Sequence, residues 1–123
     1  MKKTFDFLTS PYQREYPKWL FICTAGMLRS ATAAHHFASK GINTRCAGTD
    51  ELYAIQPVHE NTLMWADKIF CMEKEHKEYL NRKFDCRNLD ITVLDIQDDF
   101  SYREEKLIQL LEDAINATQS KRA

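Results

Sequence analysis

Five apolar residues in a row, Trp19-Leu20-Phe21-Ile22-Cys23, lead into a short loop and then into SATAAHHFASK, residues 30–40. An uninterrupted apolar run suits a strand covered on both faces. An alanine-rich stretch closed by Gly41 suits a helix. The same pairing repeats down the chain. Residues 42–47 (INTRCA) alternate as a strand does, and 57–66 predict a helix opened by Pro57. Residues 68–72 (KIFCM) predict a third strand, and 73–83 a charged surface helix with Tyr79, Leu80 and Phe84 on one side. Residues 91–94 (ITVL) predict a fourth strand. Ser101 and Glu104 then stand at capping-box spacing before Leu107, Ile108, Leu111 and Ile115, which mark one helical face. Strand-helix alternation of this kind predicts an α/β fold, a parallel sheet with helices on both faces. In such sheets ligands bind beyond the carboxyl ends of the strands, so the loop after the first strand is the place to look for a site.

With 123 residues the chain has room for a single domain, 1–123, and for a core that needs neither metal nor disulfide staples. Lys and Arg number 17 against 18 Asp and Glu, so no basic field holds nucleic acid or an anionic membrane by charge. No apolar run reaches the roughly 18 residues of a spanning helix. Asp6 and Thr9 interrupt the opening stretch, which reads against a signal peptide. Residues 1–18, punctuated by Pro11 and Pro17, are expected to form an irregular N-terminal extension. The four cysteines, Cys23, Cys46, Cys71 and Cys86, are too dispersed for a disulfide framework, and no Cys or His pair has zinc spacing. Reduced thiols and a cytoplasmic location are the reading that follows, with no metal and no cofactor expected.

The loop after the first strand reads Cys23-Thr24-Ala25-Gly26-Met27-Leu28-Arg29-Ser30. This order suits one task, holding a phosphate dianion against a sulfur nucleophile. The main-chain N–H groups of residues 24–29 can converge on an anion, and the first turn of the helix adds its positive end. The same field favours a thiolate at Cys23. Arg29 offers a planar fork for two phosphoryl oxygens. Gly26 can take the positive φ that a curled loop requires. The Ser30 hydroxyl can donate to the sulfur. Cys-x5-Arg spacing alone is weak evidence; the buried strand before it and the serine and helix after it supply the specificity. The plain alternative is a core cysteine ending a strand and a solvated arginine opening a helix.

In this loop and three later landmarks, residues 19–118 resemble the low-molecular-weight protein tyrosine phosphatases. The landmarks are Ala47-Gly48-Thr49 after the second strand, Ala66 to Glu73 around the third, and Leu94-Asp95-Ile96-Gln97-Asp98-Asp99-Phe100 where the family carries its acidic loop. The resemblance implies a flavodoxin-like sheet of order 2-1-3-4 and phosphomonoester hydrolysis through a phosphocysteine on Cys23. It implies that Arg29 grips the phosphoryl group, that Ser30 eases departure of the thiolate, and that Glu73 orients the arginine. It also implies an aspartate as general acid. Asp98 keeps the acid-x-aromatic spacing with Phe100, and Asp95 and Asp99 are the alternatives. The chain departs from the family pattern: the acidic loop has no proline, Gly26 replaces asparagine, Leu28 replaces a second cysteine, and Ala31 replaces proline. These changes keep the chemistry possible and fit a weak activity.

Other residues carry less. Tyr53 and Phe100 could wall a slot for an aromatic phosphoester, or simply pack. Cys46 and Cys71 read as buried structural thiols, and Cys86, in a polar loop, as more open to reaction. His35 and His36 lie near the loop in sequence but read as ordinary helix residues, and His59 and His76 give no spacing signal. The expected partners are a phosphorylated protein or a small phosphomonoester, with no nucleic acid or membrane, and the chain itself a monomer or weak dimer. Two other functions compete. One is a thiol-coupled arsenate reductase relaying through Cys71 and Cys86. The other is a degenerate module that binds phosphate without turnover.

Overall fold

The computed structural model describes residues 17–26, 28–98 and 100–122, with side chains as far as 118. Met27, Asp99 and almost all of the expected N-terminal extension lie outside the described residues. The elements run β1 (Lys18–Cys23), α1 (Arg29–Ala38), β2 (Asn43–Gly48), α2 (Glu60–Trp65), β3 (Lys68–Cys71), α3 (Lys74–Lys83), β4 (Ile91–Val93) and α4 (Glu105–Arg122). The strands form one sheet in the order β2-β1-β3-β4, and every neighbouring pair is parallel.

β1 is central because its side chains are apolar on both faces. Trp19, Phe21 and Cys23 point to one side, where Ala33 and Phe37 of α1 and Leu107, Leu111 and Ile115 of α4 cover them. Leu20 and Ile22 point to the other, against Val58, Leu63 of α2 and Leu80 of α3. Phe21 stacks between Phe37 and Phe70, with centroids 5.8 and 5.5 Å away. Burying such a run on both sides supplies several kcal/mol per strand and fixes its register.

Pro57 does not open a helix. Gln56 to Val58 run alongside the end of β2 instead: Gly48 N–H donates to Gln56 O (2.9 Å) and Val58 N–H to Gly48 O (3.0 Å). That extended ladder forbids helical dihedrals until His59, so α2 begins at Glu60. Glu73 stands just outside α3, as its N-cap. At α4 the expected box is half formed: Ser101 N–H donates to Glu104 Oε1 at 2.9 Å.

Candidate active site

At the carboxyl end of β1 the chain curls back on the sheet. Cys23 is 2 % exposed and sits at the floor of the curl. Gly26 N–H donates to Cys23 Sγ at 3.2 Å, and Ser30 Oγ lies 3.0 Å from the same sulfur. One main-chain N–H and one hydroxyl thus lie within hydrogen-bond reach of a single sulfur. The curl needs two glycines. Gly26 adopts φ +71°, and a Cβ there would stand 2.9 Å from Gly48 N. A Cβ on Gly48 would stand 2.6 Å from Thr24 O. The loop therefore lies on the end of β2 with no side chain between them. Thr49 and Asp50 N–H groups then bind the carbonyls of Cys23 and Thr24 at 3.0 and 2.9 Å.

Arg29, the first residue of α1, is 2 % exposed. Its Nη1 donates to Glu73 Oε2 and, at 2.7 Å, to the carbonyl of Ile96. Asp98 Oδ1 stands 3.7 Å from Nε, and the Asp98 side chain is 65 % exposed. With Nη1 committed, the Nε and Nη2 edge is the part of the fork that can face a phosphoryl group. Glu73 supplies the countercharge that a buried guanidinium requires.

The sequence-derived candidates thus divide. Cys23, Thr24, Gly26, Arg29, Ser30, Glu73 and Asp98 meet around one loop. Ala25 is half-buried in it, and half-buried Leu28 packs against the core beneath it. Asp95 adopts φ 59° and, with Gln97, Phe100, Leu110 and Asp113, lines a separate cleft of about 440 Å³ beside α4. Phe100 packs on the core there. Tyr53 is 77 % exposed. Its loop is pinned: Asp50 Oδ1 accepts from Leu52 and Tyr53 N–H, and Glu51 binds Tyr79 Oη (2.6 Å) and Lys83 Nζ (2.8 Å).

Two groups escaped the sequence reading. The Ile96 carbonyl carries no sequence signal. His76 is buried, with Nε2 3.0 Å from Thr24 Oγ1 and Nδ1 accepting from Glu73 N–H at 3.0 Å. Glu73-x-x-His76 has capping-box spacing with a ring in place of the usual carboxylate, and that pattern could have found it. Burial and then nearby Arg29 push the His76 pKa down to about 4, so the ring is neutral.

The thiols sort by face. Cys46 is half-buried near Cys23 and Ser30, with Sγ 3.8 Å from Gly26 O, and burial raises its pKa. Cys71 is fully buried on the other face, its pKa pushed up to about 12, chiefly by burial. Cys86 is less open than its polar neighbours suggested: it is half-buried against that same cluster and donates to Leu80 O at 3.4 Å. Among the described residues, no cluster of three His, Cys, Asp or Glu could hold a metal ion, and no helix is long and apolar enough to cross a membrane.

No protein-family model matches the sequence, and no curated protein sequence matches it. Solved structures do resemble it. The YwlE arginine phosphatase of Geobacillus stearothermophilus aligns over 86 % of this chain and 95 % of its own, at 18 % identity and TM-score 0.66. A low-molecular-weight protein tyrosine phosphatase of Bacillus subtilis aligns over 86 % and 99 %, at 20 % identity and TM-score 0.66. Wzb of Vibrio vulnificus, solved with benzylphosphonate, aligns over 86 % and 99 %, at 19 % identity and TM-score 0.66. The chain has the flavodoxin-like fold of low-molecular-weight tyrosine phosphatases, with sheet order 2-1-3-4.

Proposed function

We propose that this protein is a phosphomonoester hydrolase of the low-molecular-weight tyrosine phosphatase type, acting through a phosphocysteine on Cys23. The observation that carries this reading is the convergence of Gly26 N–H and the Ser30 hydroxyl on one sulfur, inside a loop whose other end is a clamped, buried arginine. The fold that it shares with an arginine phosphatase and with tyrosine phosphatases supports it.

The reaction then runs in two balanced steps. Cys23 Sγ attacks phosphorus as the ester P–O bond breaks, and the departing oxygen takes a proton from Asp98. Loop amides and the Nε/Nη2 edge of Arg29 hold the equatorial oxygens. In the second step water attacks phosphorus, its proton passes to Asp98, and the P–S bond breaks while Ser30 Oγ donates to the leaving thiolate. Glu73 keeps the guanidinium in plane. Asp98 is preferred over Asp95 because it stands over Arg29, whereas Asp95 faces the cleft beside α4. An aromatic phosphoester is the favoured substrate class: Tyr53 offers an exposed ring on a loop bonded to Thr24 through Asp50. Phe100 is a weaker wall, since it packs on the core.

An arsenate reductase relay is disfavoured. Cys71 and Cys86 lie across the sheet from Cys23, and burial raises both thiol pKa values. The second reading is a phosphate-binding module without turnover, and the 2 % exposure of Cys23 favours it.

Hydrolysis of p-nitrophenyl phosphate by wild type and Cys23→Ser decides between the two. Loss of at least about 10³-fold in kcat for the variant, with tungstate still bound, is the expected result. Tungstate binding without wild-type turnover would leave only the binding module. Phosphotyrosine peptide, phosphoarginine and arsenate as substrates then sort the class.

A further inference from the structure

Glu73 and His76 stand one turn apart at the start of α3, and both reach the loop that carries the sulfur. The Glu73 carboxylate holds Arg29, the last residue of the loop. The His76 ring meets Thr24, the first residue after the nucleophile. A residue at this position needs only an acceptor to cap the helix, and a short exposed side chain would serve. His76 instead brings a ring that is 3 % exposed, and with Leu80 it is one of the two buried residues of a helix rich in charged side chains.

Its two bonds fix where the protons are. Nδ1 faces the Glu73 N–H and so carries no hydrogen. The neutral ring therefore has its proton on Nε2 and donates it to Thr24 Oγ1. Thr24 accepts in that bond, and its own hydroxyl proton is free to turn toward the open side of the loop, where Thr24 is exposed. Protonating the ring would set two N–H groups against each other at Glu73. It would also place a second cation beside Arg29, with Glu73 and Asp98 as the opposing carboxylates.

We infer that His76 is a positioning residue for phosphoryl transfer: as its Nε2–H tautomer it orients the Thr24 hydroxyl and fastens the front of the anion loop to the helix turn that fastens Arg29 at its back. This rests on the hydrolase reading proposed above. One turn of α3 then sets the separation between the nucleophile's end of the loop and the arginine's end.

The test uses His76→Asn, which keeps an acceptor for Glu73 N–H but is too short for Thr24, together with Thr24→Val, Thr24→Ser and the double variant His76→Asn/Thr24→Val. Each of His76→Asn and Thr24→Val is expected to lower kcat for p-nitrophenyl phosphate about tenfold, and the double variant no further than the worse single one. Thr24→Ser restores the rate. In wild type, nitrogen NMR of the labelled ring shows a bare Nδ1 and a protonated Nε2, and Thr24→Val speeds solvent exchange of that proton. A protonated Nδ1, or losses that multiply in the double variant, would overturn the inference. If wild type fails to turn over substrate, the hydrolase reading fails by itself. The ring's tautomer and the same variant cycle on tungstate affinity still decide whether His76 positions the loop.

Discussion

The loop after β1 and the loop after β4 stand at the same edge of the sheet and are held in opposite ways. In residues 23–30 the sulfur, the guanidinium and the carbonyls of Cys23 and Thr24 each have a partner fixed by the sheet or by a helix start. In residues 94–98 the main chain is anchored through Leu94 N–H and Ile96 N–H, but the carboxylates are not. Asp98 is mostly exposed and meets Arg29 at 3.7 Å, beyond direct hydrogen-bond length. On the proposed function this contrast has a reason: binding a dianion demands several donors in place before the ligand arrives. On the same proposal, delivering one proton demands only that a carboxylate come within reach during the reaction, which an exposed Asp98 would permit.

The sharpest way to break this contrast is at Arg29. Arg29→Lys keeps the charge but cannot hold Glu73, the Ile96 carbonyl and two phosphoryl oxygens at once. A fall of about 10³-fold in kcat/KM for p-nitrophenyl phosphate, with much weaker tungstate binding, is expected. A loss under tenfold would mean that the loop's amides carry the anion and that the clamp on Arg29 serves the fold alone.

Next in size is the backbone of the curl. Gly26→Ala forces an L side chain into positive φ and drives its Cβ toward Gly48 N. Destabilisation of about 2 kcal/mol or more is expected in urea unfolding, with turnover reduced alongside it. An alanine variant of unchanged stability would show that the loop is looser than its hydrogen bonds imply.

A third probe is pH. His76 is neutral in the fold, its pKa near 4 against 6.5 for the free ring. The unfolded chain takes up a proton below about 6.5 and the folded chain only near 4. The stability from this site is therefore whole above pH 6.5 and is lost as pH falls toward 4. Between pH 7 and pH 5 the loss is about 2 kcal/mol. His76→Asn should remove that part of the pH dependence in paired urea titrations. Equal slopes for both proteins would place the ring in water.

These outcomes bear on what could be read from residues alone. The alternation from Trp19 to Ile115 predicted the sheet and its helices because burial on two faces leaves a periodic trace. That Cys23, Gly26, Arg29 and Ser30 meet in one loop was legible because they are local in sequence. Pro57 misled, since a proline suits a helix start and an extended bridge equally, and only the neighbouring Gly48 decides. For His76 the Glu73-x-x-His76 spacing could have shown a helix cap, but not the contact with Thr24, because spacing along one helix cannot show a contact between two elements. Phe100 suited a slot wall because a flat ring can stack on a phenyl group, but its ring packs in part against the core and lines the cleft beside α4.

The smallest effects are expected in the acidic loop, and they test the looser half of the comparison. For an exposed carboxylate held by one long contact, general-acid help should sit at the low end of its usual range. Asp98→Asn is expected to lower kcat on phenyl phosphate, a poor leaving group, by about tenfold, and to change p-nitrophenyl phosphate turnover much less. The difference between the two esters is the diagnostic, because a damaged binding loop would slow both alike. Asp95→Asn should leave both rates within about twofold, since Asp95 faces the cleft beside α4. If Asp95→Asn shows the leaving-group dependence and Asp98→Asn does not, the acid comes from the strand end, and Asp98 is only a countercharge resting on Arg29. The proton donor would then be as firmly placed as the nucleophile, because Asp95 lies between the anchored Leu94 and Ile96, and the division between a rigid binding loop and a free acid would fail.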